Sequence, residues 1–169
     1  LAIVKATAKR GAPVFVATGA AYPDALSAGA AAGKTGATLA LTRPKQLDPK
    51  MLAQIKALDP AAIYVVGGAD AVSNAVLDTL KTVTANTHRI GGDNRYETSR
   101  AIAKQFFTAP AEVYLATGRA FPDALAASAV AGGKGVPVLL VNGKASSVDA
   151  ATRNALSDLG AKKLFLAGG

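Results

Sequence analysis

The chain has 169 residues, half of them hydrophobic, with 19 Lys and Arg against 11 Asp and Glu and a formal net charge of +8. It has no cysteine, which excludes disulfides and thiolate metal sites, and its single histidine, His88, argues against a histidine metal cluster or a Ser-His-Asp triad. No apolar run reaches the length of a membrane span.

In chain order, residues 1–10 read as a helix stopped by Gly11. Val14-Phe15-Val16 is a short apolar run of the kind that forms a buried strand. Thr18-Gly19 turns the chain. Pro23 suits the first position of a helix, where its missing N–H would be unpaired anyway. Asp24 then complements the positive helix end. Small residues fill positions 25–32, and Gly33 and Gly36 are expected to end the helix. Leu39-Ala40-Leu41 is a second strand, Asp48 to Leu58 a second helix, and Ile63–Val66 a third strand. Gly67-Gly68 leads to a helix from about Ala71. Thr87–Ile90 is a shorter strand, and Gly91-Gly92 leads to Asn94, three residues before Glu97, a capping-box spacing.

From Val113 the order repeats. Ala17-Thr18-Gly19-Ala20-Ala21-Tyr22-Pro23-Asp24-Ala25-Leu26 recurs 99 residues later as Ala116-Thr117-Gly118-Arg119-Ala120-Phe121-Pro122-Asp123-Ala124-Leu125. The two stretches differ only at Ala20/Arg119 and Tyr22/Phe121. The register holds upstream to Ala2-Ile3 and Ala101-Ile102, and downstream to Leu39–Leu41 and Val138–Leu140. It then slips to 101, where Ile63–Gly68 matches Leu164–Gly169. Self-similarity at a fixed period is the mark of duplication. Strands alternating with helices imply parallel strands joined by helical crossovers. The expected fold is therefore α/β: two tandem homologous modules, each a mainly parallel sheet flanked by helices in Rossmann-like or Toprim-like layering. The modules are placed at residues 1–87 and 88–169, with almost no linker. The sequence reads as a fragment, the first copy lacking its opening strand and the second its last helix.

Charge follows the same duplication. Residues 1–87 carry nine Lys and Arg against five Asp, and residues 88–169 carry ten against six acids, so each part is +4. A basic body without a basic tail fits attraction to polyanions, such as nucleic acid, anionic glycans or phosphate-rich wall polymers, or simply a solvated surface.

The duplicated Ala-Thr-Gly…Tyr/Phe-Pro-Asp-Ala-Leu block resembles the cell wall-binding repeat 2 family of Gram-positive surface proteins. Val65-Val66-Gly67-Gly68, the run Arg89-Ile90-Gly91-Gly92-Asp93-Asn94-Arg95-Tyr96-Glu97-Thr98, and Val136-Pro137-Val138-Leu139-Leu140 carry the same likeness, in the family's order. The resemblance implies an extracellular, noncovalent anchor that holds a surface protein to the wall through an anionic secondary polymer. It also implies neighbouring repeats of the same protein as partners, and no nucleic acid, membrane insertion, cofactor, metal or catalysis. Two other readings stand beside it: an α/β enzyme or nucleotide- or phosphate-binding domain, and a structural spacer. Fold alone is poor support for an enzyme. Gly67-Gly68 lacks the third glycine and the Lys-Ser/Thr of a phosphate loop.

For ligand contact the residues favoured are Arg89, Arg95, Arg100 and Arg119, because guanidinium grips phosphate or carboxylate with two parallel bonds. Salt bridges between repeats are their competing role. Arg100 lies five residues beyond Arg95 on one helix and is expected to point elsewhere. Thr18, Gly19, Pro23 and Asp24, with Thr117, Gly118, Pro122 and Asp123, are read as a structural motif. An acid in the first helical turn already occupies the positive helix end and would repel phosphate. No His or Lys is placed to activate either threonine.

Overall fold

The computed structural model describes residues 8–168. The helix expected over residues 1–10 therefore lies, up to residue 7, outside the described residues. The first strand, β1 (Val14–Thr18), is buried at every position, as suits a parallel strand covered on both faces. Helix α1 (Pro23–Thr35) starts on its proline, carries Asp24 in its first turn, and closes on Gly36 at φ 64°. Gly33 does not end this helix; its lack of a side chain serves a contact described below. Strand β2 (Thr38–Thr42) and helix α2 (Pro49–Leu58) follow, the helix capped by Asp48, whose carboxylate accepts from Lys50 N at 2.7 Å. Beyond β3 (Ile63–Val66), helix α3 (Asn74–Lys81) begins later than Ala71. Ala71 and Val72 instead fold back onto the Gly68 carbonyl, and Ser73 supplies the cap, accepting from Val76 N.

Strand β4 (Thr87–Ile90) leads to α4 (Arg95–Phe106), where Asn94 caps by accepting from Tyr96 N and Glu97 N, both at 3.0 Å. Glu97 reaches back to Asp93 N, one residue before the cap, and to the Asn94 side chain. The second copy then supplies β5 (Glu112–Thr117), α5 (Phe121–Lys134), β6 (Val138–Val141), α6 (Ala150–Leu159) and β7 (Lys163–Ala167).

The strands form two parallel sheets, ordered β2-β1-β3-β4 and β6-β5-β7. Phe15 pairs with Leu39, and Tyr114 with Val138. Val14 pairs with Ile63, and Val113 with Leu164. The copies thus share strand order and register at the sequence offsets. The α/β, two-sheet architecture expected from the repeat is the one found. The break at residues 87–88 falls inside β4, which pairs with β3 from Ile63↔Thr87 to Val66↔Ile90. The chain leaves the first sheet only at Gly91.

One core spans both sheets. Phe15, Ala17, Val66 and Ile90 share a buried cluster with Val113, Leu115, Leu139 and Leu140, filled by alanines of α1 and α5. A second cluster lies on the other face of the first sheet, where α2 and α3 bring Met51, Ile55, Val76 and Leu80.

The contact between α1 and α5 shows how the copies are related. Gly33 lies so close to Gly132 that a Cβ added at Gly33 would fall 2.7 Å from the Gly132 Cα. Ser128 packs on Gly29 and donates its hydroxyl to the Leu26 carbonyl at 2.7 Å. The Tyr22 and Phe121 rings sit 5.8 Å apart. At all three levels a residue meets its own counterpart 99 positions on, so the helices run parallel and in register. The modules are therefore related by rotation about an axis along these helices. The contact is head-to-tail, because Leu26 is buried and its counterpart Leu125 is exposed.

Helix α4 interlocks the copies. Its Ser99 accepts from Leu140 N under the second sheet, while its Phe106 ring lies 5.1 Å from Phe15 and 4.9 Å from Tyr64 on the first. Lys34 of α1 donates to the Phe106 carbonyl at 2.7 Å.

Candidate functional site

In an open α/β sheet, ligands bind beyond the carboxyl ends of the strands, where successive connections leave in opposite directions. Here that point lies between β1 and β3 in the first sheet and between β5 and β7 in the second. A crevice opens at each, of about 420 Å³ and about 510 Å³. The loops that build them are the duplicated block. Gly19 N donates to the Thr42 carbonyl at 2.8 Å, and Gly118 N to the Val141 carbonyl at 2.9 Å. The Thr18 hydroxyl accepts from Ala20 N, and Thr117 from Arg119 N, at 3.1 and 3.2 Å. Both threonine oxygens are thus engaged in turning the chain.

The two aspartates hold the same place. Asp24 lies against Gly67, at φ 99°, and Asp123 against Gly168, at φ 102°. Any side chain at either glycine would collide with the carboxylate and would also be strained by the positive φ. Beyond this shared frame the crevices diverge. Gly92, Asp93, Asn94, Arg95 and Thr98 wall the first. Burial pushes the Asp24 carboxyl above its ordinary range, against the opposing pull of Arg95 and a hydrogen bond from Thr98. With Asp70 and Asp93 also present, acids outnumber Arg95 here. The second crevice is lined by Arg119, Asn142, Lys144, Ser146 and Ser147 around Asp123, so its balance is basic.

The structure does not gather the four arginines into one site. Arg89 donates through Nη1 to the Gly67 and Gly68 carbonyls at 2.8 and 3.0 Å, and through Nη2 to Asn74, pinning the turn into α3. Burial lowers its pKa, while Asp78 works to raise it. Arg95 donates to the Gly118 carbonyl at 2.6 Å, bridging from the first crevice to the turn of the second copy. Arg100 bonds Thr152 at 3.2 Å and stands 3.8 Å from Asp149, fastening α4 to the start of α6. The Thr152 amide is the main reason that the Asp149 carboxyl titrates low. Arg119 is exposed and makes a 3.4 Å bond to Asn142.

Sequence reasoning did not single out Thr98, Asn142 or Lys144. Lys144 and Asn142 sit in the loop after β6, where only the sheet's strand order marks them as crevice residues. Thr98 could be found from its place one turn after the cap. Among the described residues, no cluster of His, Asp or Glu is arranged to hold a metal ion.

Two parallel sheets built from one repeated unit, with matching crevices at their switch points, define a tandem α/β binding module. A family model described as Cell wall binding domain 2 (CWB2) matches residues 1–77 and again 89–169, and the chain belongs to that family. It is 30% identical over 151 residues to the N-acetylmuramoyl-L-alanine amidase LytC of Bacillus subtilis (strain 168), covering 89% of this chain and 30% of that protein. It is 38% identical over 119 residues to the Amidase enhancer of the same organism, covering 70% of this chain and 17% of that one. The chain thus spans less than a third of either relative. In fold it matches Cwp8 and Cwp6 from Clostridium difficile at TM-scores of 0.85 and 0.83, with 24% and 20% identity, over 99% of this chain and 29% and 27% of theirs. Membership makes the chain a cell wall-binding module, of a family defined by binding. No helix among the described residues is long and apolar enough to cross a membrane.

Proposed function

We propose that the chain anchors a bacterial surface protein noncovalently to the cell wall, outside the cell, by binding an anionic secondary wall polymer at the carboxyl-end crevices. Neighbouring repeats of the same protein are its other partners. The observation that carries this reading is the basic second crevice, with Arg119 and Lys144 beside the hydroxyls of Ser146 and Ser147, at a switch point of a wall-binding fold. In the first copy Arg43 and Lys45, both exposed, occupy the corresponding loop after β2. Of the four arginines singled out in the sequence, Arg119 is the one we assign to the ligand. Arg89, Arg95 and Arg100 are engaged with the protein's own carbonyl, hydroxyl and amide oxygens, and they shape the crevices. Each exposed contact is weak, so retention draws on several at once.

The test is sedimentation with purified walls, before and after acid extraction of anionic polymer. Arg119→Ala with Lys144→Ala is expected to weaken retention about tenfold, or ~1.4 kcal/mol. Lys56→Ala with Lys162→Ala, an equal charge loss at the amino ends of the strands, is expected to do much less. Retention should fall as salt rises from about 0.05 to 0.5 M, over which the Debye length shrinks about threefold. Retention that ignores salt and survives extraction would make a neutral glycan or peptide the ligand.

A further inference from the structure

Of the five asparagines in the chain, only Asn142 is followed by glycine; the others precede Ala75, Thr87, Arg95 and Ala155. Those four are held in regular structure or by capping and loop bonds. Asn74 opens α3, Asn94 caps α4, Asn154 lies within α6, and Asn86 donates through Nδ2 to the Ala61 carbonyl at 2.7 Å. Asn142 and Gly143 instead form the exposed turn that leaves β6. Arg43 and Lys45, in the loop after β2, are exposed in the same way, so the exposure belongs to the repeat.

The turn fixes glycine at position 143. A Cβ there would fall 2.6 Å from Thr117 Oγ1 and 2.9 Å from Thr117 Cβ, and that hydroxyl is held by the Arg119 N–H. A glycine leaves its own peptide nitrogen unshielded. The backbone bonds of the turn run from Gly118 N to Val141 O and from Ala145 N to Asn142 O, which leaves the Gly143 N–H without an acceptor among the described residues. The Asn142 side chain folds over this peptide. Its Oδ1 accepts from Lys144 N at 3.3 Å, an Asx turn that encloses Gly143, and from Arg119 Nη1 at 3.4 Å. Both donors draw electrons from the side-chain carbonyl carbon and face the oxygen on which charge builds when a nucleophile adds.

We propose that Asn142 is a site of self-modification, at which the neighbouring backbone converts the amide to a carboxylate. The Gly143 nitrogen, giving up its proton, attacks the Asn142 side-chain carbonyl carbon and forms a new N–C bond. The C–NH2 bond breaks, ammonia leaves with the added proton, and a five-membered succinimide remains. Water then adds to one of the two ring carbonyls and opens the ring, to aspartate or to isoaspartate. Nothing is oxidised or reduced. The new carboxylate stands beside Arg119, so Arg119 and Lys144 face it together with Asp123, and the basic excess of the second crevice is lost. The first copy is exempt, because Arg43-Pro44 stands where the second has Asn142-Gly143 and has neither a side-chain amide nor a second N–H. The effect on binding rests on the reading of Arg119 as a ligand arginine; the chemistry does not.

Incubation of the full chain at mildly alkaline pH, followed by digestion at acid pH and peptide mass spectrometry, reads the conversion. Asn142 is expected to convert about tenfold or more faster than the other four asparagines, whose surroundings must first open locally. Enzymatic methylation of isoaspartate should label the same peptide, and Asn142→Gln should abolish the label. An Asn142 that remains an amide, or that converts no faster than the other four, overturns the proposal. Sedimentation with purified walls reads the consequence. Asn142→Asp is expected to lower retention about threefold, the scale of one exposed charge pair, and incubated wild type should approach the same value. With Arg119→Ala already in place, Asn142→Asp should cost less; an equal cost in both backgrounds overturns the route through Arg119. Fresh chain that ignores walls would fail the anchoring reading alone, since the mass measurement stands without it.

Discussion

The two crevices open beside the same repeated turn and differ in what else lines them: residues around Gly68 and Gly92 in the first, and the loop after β6 in the second, whose counterpart after β2 lines a separate crevice with Gly19 and Ala20. In the first, Pro23 and Leu26 are buried, and Asp24 is closed in by Arg95 and Thr98. In the second, Pro122 and Leu125 are exposed, and Arg119 and Lys144 stand at the rim. Local sequence sets the turn, through the threonine hydroxyl, the glycine amide and the proline at the helix start. What the turn faces in the first copy is set by α4, the helix after Gly91-Gly92, whose Arg95 and Thr98 stand beside Asp24. Within this chain the two copies of the loop therefore stand in different surroundings. Charge balance and exposure change while the backbone bonds stay the same.

The largest expected effect concerns the contact that holds the copies together. Gly33→Ala drives a methyl into the Gly132 backbone and should cost about 2–3 kcal/mol, the usual penalty for overpacking. Gly132→Ala meets nothing closer than Gly29 O at 3.4 Å, so the gain in helix propensity, up to about 1 kcal/mol, should largely survive. Denaturant unfolding of both variants checks this. Equal penalties would mean that α1 and α5 meet symmetrically after all.

Next in size is the bridge between crevices. Arg95→Ala removes the bond to the Gly118 carbonyl and the charge that opposes the desolvation of Asp24, and should cost about 2 kcal/mol. Arg119→Ala, at an exposed position with a long bond, should change stability by less than about 0.5 kcal/mol. Thermal melts of the pair distinguish a structural arginine from a ligand arginine, since only the second should lose wall retention with stability intact.

The smallest effect is in the pH dependence. Because the folded Asp24 carboxyl titrates above its ordinary 3.8, the folded state holds its proton more tightly than the unfolded chain. That contribution is fully present below about pH 3.8 and is lost as pH rises through the folded value. Asp149 titrates low, so its stabilisation is present above about pH 3.8 and is lost as pH falls. Asp24→Asn should therefore remove a loss of stability on the neutral side, and Asp149→Asn should flatten the acid side. Unfolding free energies measured from pH 3 to pH 7 check both signs; the same slope change in both variants would contradict the burial of Asp24.

Much of the fold was legible because the signals are local. Short apolar runs bounded by glycine gave the strands. Pro23, Asp48 and Asn94 marked three helix starts through the backbone groups they satisfy or lack. The repeat offset carried strand order from one copy to the other. Gly33 misled for a physical reason: a glycine near a helix end has the same composition signal whether it supplies a left-handed turn or a close approach, and only Gly36 takes the positive φ here. The late start of α3 had the same kind of cause, since the side chain of Ser73, unlike that of Ala71, can accept a hydrogen bond from the helix.

The sequence by itself determined the repeated unit, its α/β class, the turn chemistry and the even basic charge, because these depend on residues near one another along the chain. The tertiary structure decided where β4 pairs, which arginines are consumed in holding carbonyls, and why Asp24 and Asp123 live in different surroundings. Those outcomes depend on Arg95, Thr98 and Phe106 reaching back across the repeat boundary. The energies of such contacts come from burial and from satisfying buried polar groups, and neither is defined until distant segments share one core.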